Sequence, residues 1–297
     1  MVHTALHNKN LLTVLNGGEI QLAPPIDHRI RLSLHDRHQA CDYRAWWDDC
    51  RAAVGLDQDQ RPESESPWVT FSPYLTIVLG LPELTRYPDA SLPPSVRRVG
   101  PSLWERPAPP PAWLGRLDRK RPAVLLTNST SHQEDLDVVV VSARALAGRG
   151  IQVVATVAAD YNVPDLGPDV IAAGFVPHGL VIPRVDAVVC SAGLGVTTKA
   201  VCAGVPVVAI PGYGDQYAVA AAVEATGTGI ALSREQLSSS TLTDAVLTLL
   251  MGRHHRECAD QLARAARLYD APSAAADLLE EVLPAIAGGL PPSGYKT

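Results

Sequence analysis

The chain has 297 residues, 46% of them apolar and 19% charged, which allows one large or two modest domains with real cores and does not fit a disordered protein. Its formal net charge of −6 argues against nucleic-acid binding, which usually needs a basic face. Five scattered cysteines (Cys41, Cys50, Cys190, Cys202, Cys258) form no CxxC pair and read as reduced thiols of a cytoplasmic protein rather than a disulfide framework.

The N-terminus, "MVHTALHNKNLLTV", lacks the basic segment, apolar core and small-residue cleavage site of a secretory signal. No uninterrupted apolar run reaches about 18 residues, so no membrane span is expected. "DYRAWWDDCRAAVGL" reads as a helix closed by Gly55, in which Trp46 and Trp47 either pack or line a pocket. The nearby carboxylates Asp48, Asp49, Asp57 and Asp59 read as surface charge. "WVTFSPYLTIVLGLPEL" holds one or two strands. Residues 1–102 thus read as a partial α/β domain, with too few strands for a complete doubly wound one.

Residues 103–122 include three consecutive prolines and read as an extended, stiff linker. After it the pattern becomes regular over residues 123–285, with 286–297 as a tail. "PAVLLT" is a buried strand, "EDLDVVVVSARALAGRG" a helix ending in glycine, and "IQVVATV" the next strand. "VIAAGFVPH", "VDAVVC", "TTKAVCAG", "VPVVAI" and "QYAVAAAVEATG" continue the alternation, as in a doubly wound parallel sheet. Such sheets bind ligands beyond the carboxyl ends of their strands, which puts the loops after Thr127, Cys190 and Ile210 on one rim. His254 and Cys258 have i,i+4 spacing on a further helix, but a metal site needs more ligands and a solvated face is the simpler reading.

The loop "CSAGLGVTTKA" leads from a strand into a helix expected to begin near Val196 or Thr197. Gly193 and Gly195 let the backbone approach a ligand, and free helix N–H groups can receive an anion. It is not a Walker A loop, because Thr198-Lys199-Ala200 replaces Gly-Lys-Ser/Thr. It is not a dinucleotide fingerprint either, because Thr198 stands where the third glycine belongs. A tight turn without a ligand is the remaining alternative. In "AIPGYGDQYAVAAAVEATGTG", Asp215 and Gln216 can take hydrogen bonds from sugar hydroxyls, or Asp215 can simply cap the helix.

Taken together, the small-residue turn, the "AGVPVVAIP" strand, the Asp-Gln pair and the "GTG" that follows resemble the donor-binding segment of family 1 glycosyltransferases. The chain is most similar to actinobacterial natural-product and macrolide members. The resemblance includes "RRVGPSLWERPAPPPAWLGRLDRKRPAVLLTNST" and "GFVPHGLVIPRVDAVV", and runs from about Phe71 to Leu283. It implies an α/β, GT-B fold of two Rossmann-like domains, here with the N-terminal one incomplete. Val176 and Pro177 are then expected beside the nucleotide base, with His178 at its rim. Ser191, Gly193, Leu194, Gly195, Val196 and Thr197 are expected to meet the diphosphate, faced by Ser129 and Thr130, and Asp215 and Gln216 to hold the sugar.

Two departures from the family pattern stand out. Ser191-Ala192-Gly193 replaces His-Gly-Gly, and Lys199 replaces a glutamate that often bonds ribose. The family's general base is a histidine after the very first strand, yet Met1-Val2-His3-Thr4 resembles a strand from the middle of that domain. The base and its acidic partner are therefore expected to be missing, neither His3 nor His7 is assigned to replace them, and no catalytic residue is named.

The expected activity is transfer of a sugar from a UDP- or dTDP-sugar, with inversion, to a hydroxyl of a small hydrophobic acceptor. The nucleotide sugar is a co-substrate, and neither a cofactor nor a metal is expected. One alternative is an inactive, truncated relative that retains nucleotide-sugar binding or acts as a partner protein. A sugar-nucleotide epimerase of the same fold would need cleft carboxylates that the sequence does not reveal. An incomplete N-terminal domain would expose apolar surface and strand edges, favouring self-association.

Overall fold

The computed structural model describes residues 3–4, 13–15, 74–85, 95–128, 136–157, 166–167, 169–212 and 214–287. The chain divides into two compact units. The first holds a four-stranded sheet of β1 (His3–Thr4), β2 (Thr13–Leu15), β3 (Thr76–Leu79) and β4 (Val96–Gly100), in that spatial order. β1 runs antiparallel to β2, and β2, β3 and β4 are parallel.

The second unit comprises Leu81–Arg86 and Pro101–Tyr269. Its six-stranded parallel sheet is built from β5 (Ala123–Thr127), β6 (Gln152–Thr156), β7 (Val170–Ala173), β8 (Ala187–Cys190), β9 (Val207–Ala209) and β10 (Gly229–Ala231). The spatial order is β10-β9-β8-β5-β6-β7, the doubly wound arrangement with its crossover point between β5 and β8.

The central strands carry apolar residues almost without interruption because helices cover both faces of the sheet. Ala123, Leu125, Val154, Val188, Cys190 and Val207 turn to one face. Val124, Leu126, Val153, Ala155, Val189 and Val208 turn to the other, the two-residue alternation of extended backbone. The first face is covered by α2 (His178–Val181), α3 (Leu194–Cys202), α4 (Gln216–Ala225) and α6 (His254–Ala266). The second is covered by α1 (Leu136–Leu146) and α5 (Ser239–Met251), through Val138, Leu146, Leu242 and Leu249.

Two boundaries differ from those expected. The final helix, α7 (Ala271–Ala287), overlaps the expected domain 123–285 in sequence but groups with the first unit. Its stripe of Ala271, Ala274, Ala275, Leu278, Leu279 and Val282 has helical spacing and packs with Leu75, Ile77 and Val99. The linker, in turn, is part of the second unit rather than a free spacer. A short 3-10 turn, Ala112–Arg116, buries Leu114, and Trp113 and Leu117 pack on the core. Gln152 fixes the linker's far end, accepting from Asp118 N–H at 2.8 Å and donating to the Asp118 and Arg121 carbonyls at 2.8 and 3.0 Å.

Among the described residues, no helix is long and apolar enough to cross a membrane. The helix expected around Trp46 and Trp47, together with His7, Cys41, Cys50 and Asp48 to Asp59, lies outside the described residues.

Candidate functional site

β5 and β8 end level with each other, Thr127 pairing with Cys190, and Ile210 N–H donates to the Cys190 carbonyl at 2.8 Å. The loops after β8 and β9 therefore leave the same edge of the sheet. After Cys190 the chain passes through Ser191, which is 2% exposed, and Ala192, which is fully buried. Ala192 has φ 59°, the left-handed region that costs a residue with a β-carbon roughly 1–2 kcal/mol. It is the one described non-glycine residue there, and it stands where the family pattern has glycine.

Gly193, with φ −59° and ψ 131°, is the N-cap of α3, so the helix starts at Leu194 rather than near Val196 or Thr197. The first intrahelical bond runs from Thr197 N–H to the Gly193 carbonyl at 3.1 Å. The N–H groups of Leu194, Gly195 and Val196 consequently have no acceptor within the helix. With the positive end of the helix dipole they form a receptor for an anion. A β-carbon at Gly195 would meet nothing within 4 Å, leaving open space over this first turn.

Thr197 is placed differently from the other expected diphosphate residues. Its side chain is completely buried, with Oγ1 3.9 Å from Cys190 Sγ, so the hydroxyl faces the core. Burial pushes the Cys190 thiol up to about 11, so it stays protonated and inert. Ser129 and Thr130 lie outside the described residues.

On the loop after β9, Asp215 occupies the N-cap position of α4, yet its side chain makes no capping hydrogen bond. It is half-buried, and desolvation raises its carboxyl above the ordinary value. Gln216 is 4% exposed, and its Oε1 accepts from Gly212 N–H at 2.9 Å, which holds the loop closed. Arg234, which follows β10, covers this loop so closely that a β-carbon on Gly212 would lie 2.8 Å from its Nε.

The segment expected to receive the base leads from β7 into α2. Pro177 is the N-cap of α2, and the exposed Phe175 precedes the half-buried Val176. His178 Nε2 shares a hydrogen bond with Thr156 Oγ1 at 3.0 Å. Burial and then the Lys199 charge push its imidazole down to about 4, against a smaller opposing effect of Glu105, so His178 is neutral near pH 7.

The residue that ties the site together is Glu105, from the linker. Its Oε1 accepts from His178 N–H at 3.0 Å and from Lys199 Nζ at 2.7 Å. Its Oε2 accepts from Gly179 N–H at 2.6 Å. Burial alone would raise this carboxyl, but the Lys199 hydrogen bond, the two backbone N–H groups and the Lys199 charge hold it below the ordinary value. In the sequence Lys199 and the linker stand out, but Glu105 does not. The available signal was a carboxylate between Trp104 and a proline-rich run, which is weak.

His254 and Cys258 lie 4.0 Å apart, and among the described residues no group of three His, Cys, Asp or Glu side chains could hold a metal ion.

Sheet order, an open helix start at the crossover point and a half-buried carboxylate on the same edge define a doubly wound α/β domain with a candidate ligand site at its carboxyl edge. Residues 145–282 match the family described as erythromycin biosynthesis protein CIII-like, C-terminal domain, and the chain is homologous to glycosyltransferases of the GT-B fold. It is 34% identical over 251 residues to 4'-demethylrebeccamycin synthase of Lentzea aerocolonigenes, covering 83% of this chain and 58% of that protein. It is 32% identical over 190 residues to a PGL/p-HBAD biosynthesis glycosyltransferase of Mycobacterium tuberculosis, covering 64% of this chain and 44% of that one. The structure is similar to that of spinosyn rhamnosyltransferase SpnG complexed with thymidine diphosphate, with a TM-score of 0.63 and 23% identity over 90% of this chain and 66% of that chain. The chain spans about half the length of the curated relatives it matches.

Proposed function

We propose that this chain carries the donor-binding side of a glycosyltransferase that uses a UDP- or dTDP-sugar. The observation that carries the reading is the open start of α3 at the β5/β8 crossover, with the half-buried Asp215 carboxylate at the start of the helix on the neighbouring loop. The diphosphate rests on the N–H groups of Leu194, Gly195 and Val196, and Ser191 and Gly193 shape the turn beneath it. Val176, Pro177 and His178 receive the base, and the exposed aromatic face of Phe175 adds stacking surface. Asp215 accepts hydrogen bonds from the sugar, while Gln216 holds the loop that presents it.

In the whole protein, a hydroxyl of a small hydrophobic acceptor attacks the anomeric carbon from the face opposite the diphosphate. The bond from that carbon to the β-phosphate oxygen breaks, the configuration inverts and the nucleoside diphosphate leaves. The start of α3 stabilises the charge that develops on the departing diphosphate, so no metal is required. The group that takes the acceptor proton is not assigned among the described residues.

Titration calorimetry with UDP, dTDP and their glucose esters tests the donor site. Binding is expected, and Asp215→Asn should weaken the sugar esters about tenfold while leaving the free diphosphates unchanged. If neither diphosphate binds, the donor reading is wrong. Release of nucleoside diphosphate in the presence of an acceptor panel tests transfer. Binding without release would leave a donor-binding relative that does not transfer.

A further inference from the structure

The Glu105 carboxylate has a role that the donor loops do not explain. Oε1 receives two hydrogen bonds, from His178 N–H and Lys199 Nζ, which use both of its lone pairs. Oε2 receives one, from Gly179 N–H, and keeps one acceptor position, while Lys199 keeps further N–H donors. The site is thus a paired acceptor and donor, suited to a hydroxyl group.

Its location follows from what it joins, and this step rests on the donor reading above. His178 belongs to the base segment, and Lys199 lies in the second turn of the helix whose start receives the diphosphate. In a nucleotide the ribose connects base to diphosphate, so it must cross the gap that Glu105 spans. C3′ is bonded to C4′, from which the 5′-methylene leads to the diphosphate, so of the two ribose hydroxyls the 3′ one is nearer, bond by bond, to the group held by α3.

We propose that Glu105, reaching in from the linker, is the residue that reads the ribose, with Oε2 accepting the 3′-hydroxyl proton and Lys199 donating to the same oxygen. Lys199 fills a position where the family pattern has a ribose-binding glutamate, and Glu105 restores the carboxylate from another part of the chain. With one acceptor position available, the pair engages one hydroxyl. It therefore accepts ribose and 2′-deoxyribose alike.

The test compares dTDP with 2′,3′-dideoxythymidine diphosphate, which differ only in that hydroxyl. The wild-type chain should prefer dTDP by about tenfold, and Glu105→Gln should abolish the preference while leaving the dideoxy affinity within about twofold. A thermal melt shows that the variant is folded. If it is not, Lys199→Met, which leaves the carboxylate on two backbone N–H groups, should reduce the preference. Equal binding of the two diphosphates by wild type, or an unchanged preference in the folded variant, overturns the assignment of Glu105 and leaves the donor reading standing. Failure of wild type to bind either diphosphate overturns both.

Discussion

The carboxylate of Glu105 occupies the space in which a side chain on residue 179 would begin: a β-carbon built there would lie 2.7 Å from Oε2. A side chain at 179 would therefore displace the carboxylate of a residue 74 positions earlier, whose Oε2 accepts the Gly179 N–H. Gly179→Ala should push the carboxylate off both backbone N–H groups. Charged hydrogen bonds of this kind contribute about 1.5–3 kcal/mol, so a loss of about 2 kcal/mol is expected in urea unfolding. Gly179→Ala combined with Glu105→Ala should cost no more than Glu105→Ala alone, because the clash is then gone.

Ala192 holds a left-handed φ in a fully buried turn. Ala192→Gly removes the clash of its β-carbon with the backbone, offset in part by the greater freedom of glycine in the unfolded chain. A net stabilisation of about 1 kcal/mol is expected, read from the denaturation midpoint. An unchanged or lower midpoint would mean that the methyl packs well enough to offset the strain.

Gly195 sits in the first turn of α3 with a normal helical φ and open space where a side chain would go. Gly195→Ala should stabilise the helix by up to about 1 kcal/mol. The same methyl would stand over the N–H groups assigned to the diphosphate, so dTDP affinity should fall about tenfold while the melting temperature rises. Stabilisation without loss of binding would place the diphosphate elsewhere.

His178 gives stability a pH dependence of defined sign. Its imidazole is depressed to about 4 in the folded chain, from 6.5. Below about pH 6.5 the unfolded chain takes up a proton that the folded one does not. This contribution is complete above pH 6.5 and is lost as pH falls toward 4, with a slope of at most about 1.4 kcal/mol per pH unit. Glu105, held below its ordinary value, acts in the same direction at lower pH. His178→Gln should flatten urea-midpoint curves between pH 7 and 4.5. An equally steep curve in the variant would show that other groups set the acid sensitivity.

Much of the second unit could be read directly from its residues. Strands β5, β6, β8 and β9 are covered on both sides, so each appears as a short apolar run, and the helices between them appear as amphipathic periods. That alternation by itself puts the loops leaving β8 and β9 on one rim. Local reading fell short at Gly193, which looked like part of a turn and instead caps α3. It fell short again at Thr197, whose hydroxyl suggested a ligand contact but turns inward to Cys190. Both outcomes depend on which way the first helical turn faces the sheet, and residue type does not encode that.

The sequence by itself determined the order of strands and helices, the glycine-containing turn at the crossover point and the chemistry available on the rim, because each rests on periodicity or on residues adjacent in the chain. The tertiary structure alone decided the hydrogen bonds of Glu105, the close approach of its carboxylate to Gly179 and the grouping of α7 with the first sheet. These follow from contacts between residues far apart in sequence, where close approach and desolvation set the energy and no local pattern records the partner.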